Sequence, residues 1–210
     1  MIGKHKGYIV DVSFPQFRGG VKGETGKLNK LTKLYVDRCI SNEAAPKDQP
    51  PYRHSCDVGD IFVSDKLVSF NLQFSDYLNG AGDTGFDTCV NVELKPSFRI
   101  LTLRDALGKK VNRAKLARLA AKSLSKNDLV GVNPKQLTRA GVLDSFQFGK
   151  KGITFCIAEG AYDSSVGVTK ADVSYMDLGS QISRTSPLYD LAQASKIKHL
   201  ARSKSKRHRL

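Results

Sequence analysis

The 210-residue chain has no run approaching the eighteen or so apolar residues that a membrane-spanning helix needs. Its opening, MIGKHKGYIV, lacks the apolar core of a signal peptide. Neither membrane insertion nor export by the usual route is therefore expected. The four cysteines, Cys39, Cys56, Cys89 and Cys156, form no CxxC pair, which excludes the zinc-ribbon spacings. Cys89 and Cys156 sit in the strand-like runs TCVNV and ITFCIA. They read as buried free thiols in a reducing compartment. An intracellular setting follows as the expectation: cytoplasm, nucleus or virion.

Histidine is sparse: His5, His54, His199 and His208. No serine or cysteine is tied to one of them by the spacing of a nucleophile motif. His54 with Cys56, in a proline-rich loop, is a weak catalytic or metal hint. GGVKGETGKL (19–28) is not a P-loop. Val21 stands where the first glycine belongs, and Leu28 stands where the magnesium-binding hydroxyl belongs. No internal repeat is visible. No cofactor and no metal are expected.

Acids are missing from the last twenty residues, LAQASKIKHLARSKSKRHRL, which carry seven Lys or Arg. A run of like charge repels itself and stays solvated unless a polyanion neutralises it. The whole chain is basic, with a formal net charge of +14, and the charge alternates along it. Residues 1–38 carry +5, 48–93 carry −6, 95–151 carry +11, 152–190 carry −3 and 191–210 carry +7. That alternation suggests a scaffold of acidic or neutral strands presenting three basic elements to a polyanion.

The segment 7–14 reads as a first strand, and the glycine-rich stretch after it reads as a flexible basic loop. Residues 31–40 read as a strand or short helix. In 60–74, Phe70, Leu72 and Phe74 alternate with Ser69, Asn71 and Gln73, the pattern of a half-buried strand. Residues 87–103 give two strand-length runs interrupted by Pro96. VNRAKLARLAAKSL (111–124) is helical, with Leu116, Leu119 and Ala120 on one face and Lys115, Arg118 and Lys122 on another. A short helix ending at Gly141, a hairpin turning at Gly149–Gly152 and a strand over 168–178 follow, with helical potential around 187–202.

The expected fold is mainly β: an antiparallel sandwich, jelly roll or barrel, with one inserted basic helix and a basic C-terminal arm. The alternative is an α+β split sheet. Residues 1–180 would form one β-rich domain with a helical insertion at about 104–143, and 181–210 the arm.

The composition predicts a non-enzymatic, nucleic-acid-binding structural protein, a subunit of a viral coat, nucleoprotein or ribonucleoprotein, with RNA or single strands favoured. It would assemble with copies of itself or with other chains. Phosphate contacts are expected from Arg18, Lys22, Lys27 and Lys30 in the loop. Lys109, Lys110, Arg113, Lys115, Arg118 and Lys122 would supply them from the helix, and Lys196, Lys198, Arg202, Lys204, Lys206, Arg207 and Arg209 from the arm. Aromatic rings near the basic loop, Phe14 and Phe17 above all, could stack bases but more readily pack in a core.

The enzymatic alternative is a magnesium-dependent nuclease. Glu93 and Lys95 form the acidic-x-Lys pair at a strand end, and Asp76, Asp83 or Asp87 could supply the upstream carboxylate. A third reading is a soluble β-rich domain whose basic tail is a localisation signal.

Overall fold

A computed structural model describes residues 2–5, 8–19, 23–41, 52–78, 84–108, 111–126, 132–158 and 169–207. The architecture is mixed α+β, built on two open sheets and not on a closed barrel. The larger sheet has the order β1 (Ile2–His5), β2 (Tyr8–Val12), β3 (Tyr52–Val63), β4 (Leu67–Leu78), β5 (Thr84–Glu93), β6 (Arg99–Ile100). The smaller has β7 (Phe146–Phe148), β8 (Gly152–Ile157) and β9 (Thr169–Ser174), paired antiparallel. The chain divides into two compact units: Met1–Ile61 with Phe70–Cys89, and Phe62–Ser69 with Val90–Leu210.

In the first unit the basic loop is replaced by a helix. α1 (Glu24–Ser41) follows two glycines, Gly19 and Gly23, whose φ of 76° and 110° provide the left-handed turns before it. Leu28, Thr32 and Val36 make its buried stripe at four-residue spacing. The hydroxyl of Thr32 donates to the Leu28 carbonyl, so its polarity is satisfied inside the helix. Asn29 clamps the preceding segment by accepting from the Phe17 amide at 2.8 Å and donating to the Phe17 carbonyl at 3.0 Å. The Phe17 ring packs on Phe70 with centroids 5.7 Å apart. β2 and β3 flank α1 in sequence and pair in parallel, Tyr8 with Tyr52 through Val12 with Cys56. The chain thus contains a βαβ unit where antiparallel hairpins were favoured.

β3 also corrects the reading of His54 and Cys56. They lie on a strand, 2% and 0% exposed, and His54 stacks on Phe74. Burial, with the charge of Asp57 adding to it, pushes the Cys56 thiol up to about 12. It stays protonated and is no nucleophile. Among the described residues Cys56, Cys89 and Cys156 are free cysteines.

In the second unit, α3 (Arg113–Ser125) packs on β9 and buries Leu116, Ala117, Ala120, Ala121 and Leu124. The alanines allow a close approach to the sheet. Its start is capped by Asn112, whose side chain accepts from the Lys115 amide. The expected short helix is α4 (Pro134–Leu137), with Gly141 at a φ of 88° in the turns after it. The 168–178 run splits into β9 and α5 (Tyr175–Leu178), whose N-cap is Ser174. α6 (Tyr189–Arg207) begins inside the core, where Leu188 and Ala192 are buried, and residues 196–199 are exposed.

α2 (Leu103–Leu107) falls at the start of the expected helical insertion but was not read as a separate helix. Its start is a capping box: Thr102 Oγ1 accepts from the Asp105 amide, and Asp105 Oδ2 accepts from the Thr102 amide at 3.0 Å. The Thr102 hydroxyl also donates to Asp105 and holds its carboxyl below the ordinary 3.8. Thr102→Ala should lower stability by about 1 kcal/mol. A carboxyl whose folded pKa is depressed stabilises above its unfolded pKa and loses that contribution as pH falls through the folded value. The gap in melting temperature between wild type and Thr102→Ala should therefore narrow below about pH 4, which melts recorded from pH 7 down to pH 2.5 will show.

A candidate anion-binding cleft

Three stretches of the second unit meet around a cavity of about 440 Å³. One is the turn between β3 and β4. Ser64 Oγ accepts from the amides of Lys66 and Leu67, and this small turn carries Lys66 at its tip. Another is the end of β5, fixed to that turn by the Leu94 amide donating to the Lys66 carbonyl at 2.7 Å. It supplies Glu93 and Lys95, followed by Pro96. The remaining stretch is the entry to α6. The Ser183 amide donates to the Leu107 carbonyl at 2.8 Å, Ser186 Oγ donates to the Ala106 carbonyl, and Leu188 is fully buried. This anchored segment carries Arg184, Pro187, Tyr189 and Asp190 to the cavity wall.

The charges of the cleft divide into paired and unpaired. Glu93, whose side chain is 10% exposed, accepts from Arg99 Nε at 2.5 Å. Asp190 accepts from Lys66 Nζ at 3.3 Å. Among the described residues, neither Lys95 nor Arg184 has an ion pair. Among the described residues, the cleft therefore holds two cations whose charge no side chain neutralises, and no unpaired carboxylate.

This arrangement does not resemble a magnesium site. Glu93 is held by a guanidinium and Lys95 lies beyond the strand end, exposed. Asp87 belongs to the other unit, where it accepts from Asn71 at 3.0 Å. Asp76 is on β4, but its side chain, like all of Asp83, lies outside the described residues. Among the described residues, no group of three His, Cys, Asp or Glu could hold a metal ion.

The cations expected to meet phosphate are scattered. Lys27 and Lys30 are exposed on α1, and Arg18 is exposed before it. On α3, Arg118 and Lys122 are exposed and Lys115 is half-buried, while Arg113 is ion-paired with Asp144. Lys196 and Lys198 are exposed on α6. Arg202, Lys204, Lys206 and Arg207 continue that helix, with side chains outside the described residues. Lys22, Lys109, Lys110 and Arg209 lie outside the described residues altogether. Of these, the residues whose side chains are described do not line the cleft.

Lys66, Arg184, Tyr189 and Asp190 were missed as site residues. One signal existed. Lys66 shares the acidic stretch 48–93 with only one other cation, Arg53, and Arg184 is one of two in 152–190.

No protein-family model matches the sequence, and no curated protein matches it either. Solved structures do match in fold. One is a DUF3298 family protein from Pseudomonas aeruginosa PAO1, with a TM-score of 0.56 at 15% identity, covering 85% of this chain and 86% of that one. Another is a member of the same family from Bacteroides fragilis NCTC 9343, with a TM-score of 0.54 at 18% identity, covering 83% of this chain and 69% of that one. At such identities the likeness is one of fold.

These neighbours correct the expected function. The scaffold is shared with bacterial DUF3298 proteins and does not fit a viral coat or nucleoprotein subunit. RNA binding, a capsid role and a virion role find no support. The physical reason for the misreading is that two of the three basic elements are solvated faces of packed helices. α1 and α3 each bury an apolar stripe and turn their Lys and Arg outward. Among the described residues no helix is long and apolar enough to cross a membrane.

Proposed function

We propose that this chain is a binding module, not an enzyme, and that its cleft receives an anionic group of a ligand. The observation that carries the proposal is the pair Lys95 and Arg184. Both line one cavity without a counter-ion among the described residues, while each carboxylate there has one. A guanidinium offers a planar fork to carboxylate or phosphate oxygens, and an ammonium adds a compact point charge. Pro96 and Pro187 stiffen the backbone of two walls. A volume of about 440 Å³ falls within the range that small ligands occupy.

Titration of the full chain with inorganic phosphate and with succinate, followed by amide chemical shifts, tests the proposal. Shifts should concentrate at 94–97 and 184–190. The variant Lys95→Ala/Arg184→Ala should weaken binding at least tenfold. Lys122→Ala/Lys198→Ala removes the same charge from exposed helix faces and should leave binding unchanged. Equal titration by wild type and the cleft variant would sink the proposal.

A further inference from the structure

Resting on the cleft reading above, we infer that the Asp190 carboxylate is a built-in competitor for the ligand, and that the ligand carries at least two negative charges. Among the described residues, Lys66 is the third cation of the cavity, and the only one there neutralised by an acid that is itself part of the cavity wall. Both partners are open to water, with side chains 64% and 78% exposed. An ion pair that exposed contributes little to stability, so exchanging Asp190 for an incoming anion costs little.

Glu93 cannot play this part. Its carboxylate is nearly buried, and its partner Arg99 also lies 4.0 Å from Asp105. Releasing Glu93 would leave a charge unpaired in a dry place, which is far more costly. Of the two carboxylates in the cleft, one is therefore fixed and one is exchangeable.

Full engagement of the cavity matches three cations with an anion once Asp190 is displaced. A singly charged ligand can meet Lys95 and Arg184 but has no second charge with which to capture Lys66. A dianion, whether a phosphate group or a dicarboxylate, carries that second charge. Asp190 thus sets a threshold that admits dianions and disfavours monoanions.

The test is a titration with pyrophosphate, succinate and acetate against four full-length proteins: wild type, Asp190→Asn, Lys66→Gln and Asp190→Asn/Lys66→Gln. Pyrophosphate and succinate distinguish phosphate from carboxylate chemistry, and acetate supplies the monoanion. Asp190→Asn should tighten dianion binding by roughly fivefold, the scale of one exposed ion pair. Lys66→Gln should weaken it, and the double variant should lose the gain. Acetate should bind more weakly to wild type than either multiply charged anion and respond less to Asp190→Asn. Melting temperatures of the four proteins show whether the fold is kept. If wild type binds dianions and loses them with Lys95→Ala/Arg184→Ala, yet Asp190→Asn binds no tighter, the competitor role is overturned and the cleft reading stands. If neither wild type nor Asp190→Asn binds any of the three, both are overturned.

Discussion

Asn91→Ala is expected to destabilise the second unit by about 3 kcal/mol, because three hydrogen bonds meet in one buried joint. The register of β7 and β8 shows why the joint exists. Cys156 donates to the Ser145 carbonyl and Gly149 to the Gly152 carbonyl, so the odd-numbered residues of this stretch bond across to β8. The Phe146 carbonyl and the Phe148 amide therefore face away from β8, along the open edge of the small sheet. Open edges are liabilities, and buried backbone groups need partners. Here the partners are side chains of the other sheet. Asn91 Nδ2 donates to the Phe146 carbonyl at 2.6 Å, and Ser69 Oγ accepts from the Phe148 amide at 3.1 Å. Ser69 then donates to Asn91 Oδ1 at 2.7 Å, closing the network.

Removing the Asn91 amide leaves the Phe146 carbonyl without its donor and the Ser69 hydroxyl without its acceptor. Each orphaned group in a site 0–3% exposed costs about 1–3 kcal/mol. Ser69→Ala should cost a comparable amount, since it leaves the Phe148 amide without its acceptor and Asn91 Oδ1 without its donor. The pair should be non-additive in a double-mutant cycle, because both act through one network. Urea denaturation and hydrogen exchange at the Phe148 amide are the measurements. A loss under about 0.5 kcal/mol for Asn91→Ala would show that the edge is satisfied in some other way.

The same residues explain why part of the fold was illegible. Ser69 and Asn71 alternate with Phe70 and Leu72, and alternation of this kind ordinarily marks one wet face. Here all four are 0% exposed. Sequence periodicity reports polarity, and it cannot distinguish a polar side chain facing water from one facing a buried partner. α1 was hidden differently. Four glycines at 19–26 read as loop, yet two of them are the turns that let the helix begin, and Gly26 lies exposed within it. The middle of its stripe is a threonine, which weakens the apolar signal. α3 and the 149–152 hairpin were legible because one local pattern suffices for each: a 3.6-residue period, and glycines bounding two apolar runs. The cleft combines positions 66, 93–96 and 184–190, and no local pattern could have joined them.

Gly152→Ala should be the most disruptive small substitution in the second unit. A Cβ at this position would lie 2.1 Å from the Val173 carbonyl oxygen and 2.8 Å from the Ser174 Cα, both backbone atoms of β9. No side chain can swing aside to relieve that contact, so the strands would have to part. They are held by six register pairs, from Gly152 with Ser174 to Ile157 with Thr169, and by the core beneath. Ile153, Phe155 and Ile157 point into that core, opposite Val173 and Ala171 on the partner strand. Parting the first pair therefore lifts Ile153 and Val173 from their packing as well as straining the ladder. Overpacking of a well-filled site costs about 1–3 kcal/mol, and a clash with fixed backbone belongs at or above the top of that range. Gly149→Ala is the matched control at the other end of the same turn. A Cβ there meets nothing within 4 Å, and its φ is not in the left-handed region. Gly149→Ala should leave stability within about 0.5 kcal/mol of wild type. Thermal melts of the two variants should therefore separate by well over 5 °C, the shift that follows from a difference of about 3 kcal/mol in a chain of this size. Equal melting temperatures would show that β8 and β9 are not as close at Gly152 as the register requires.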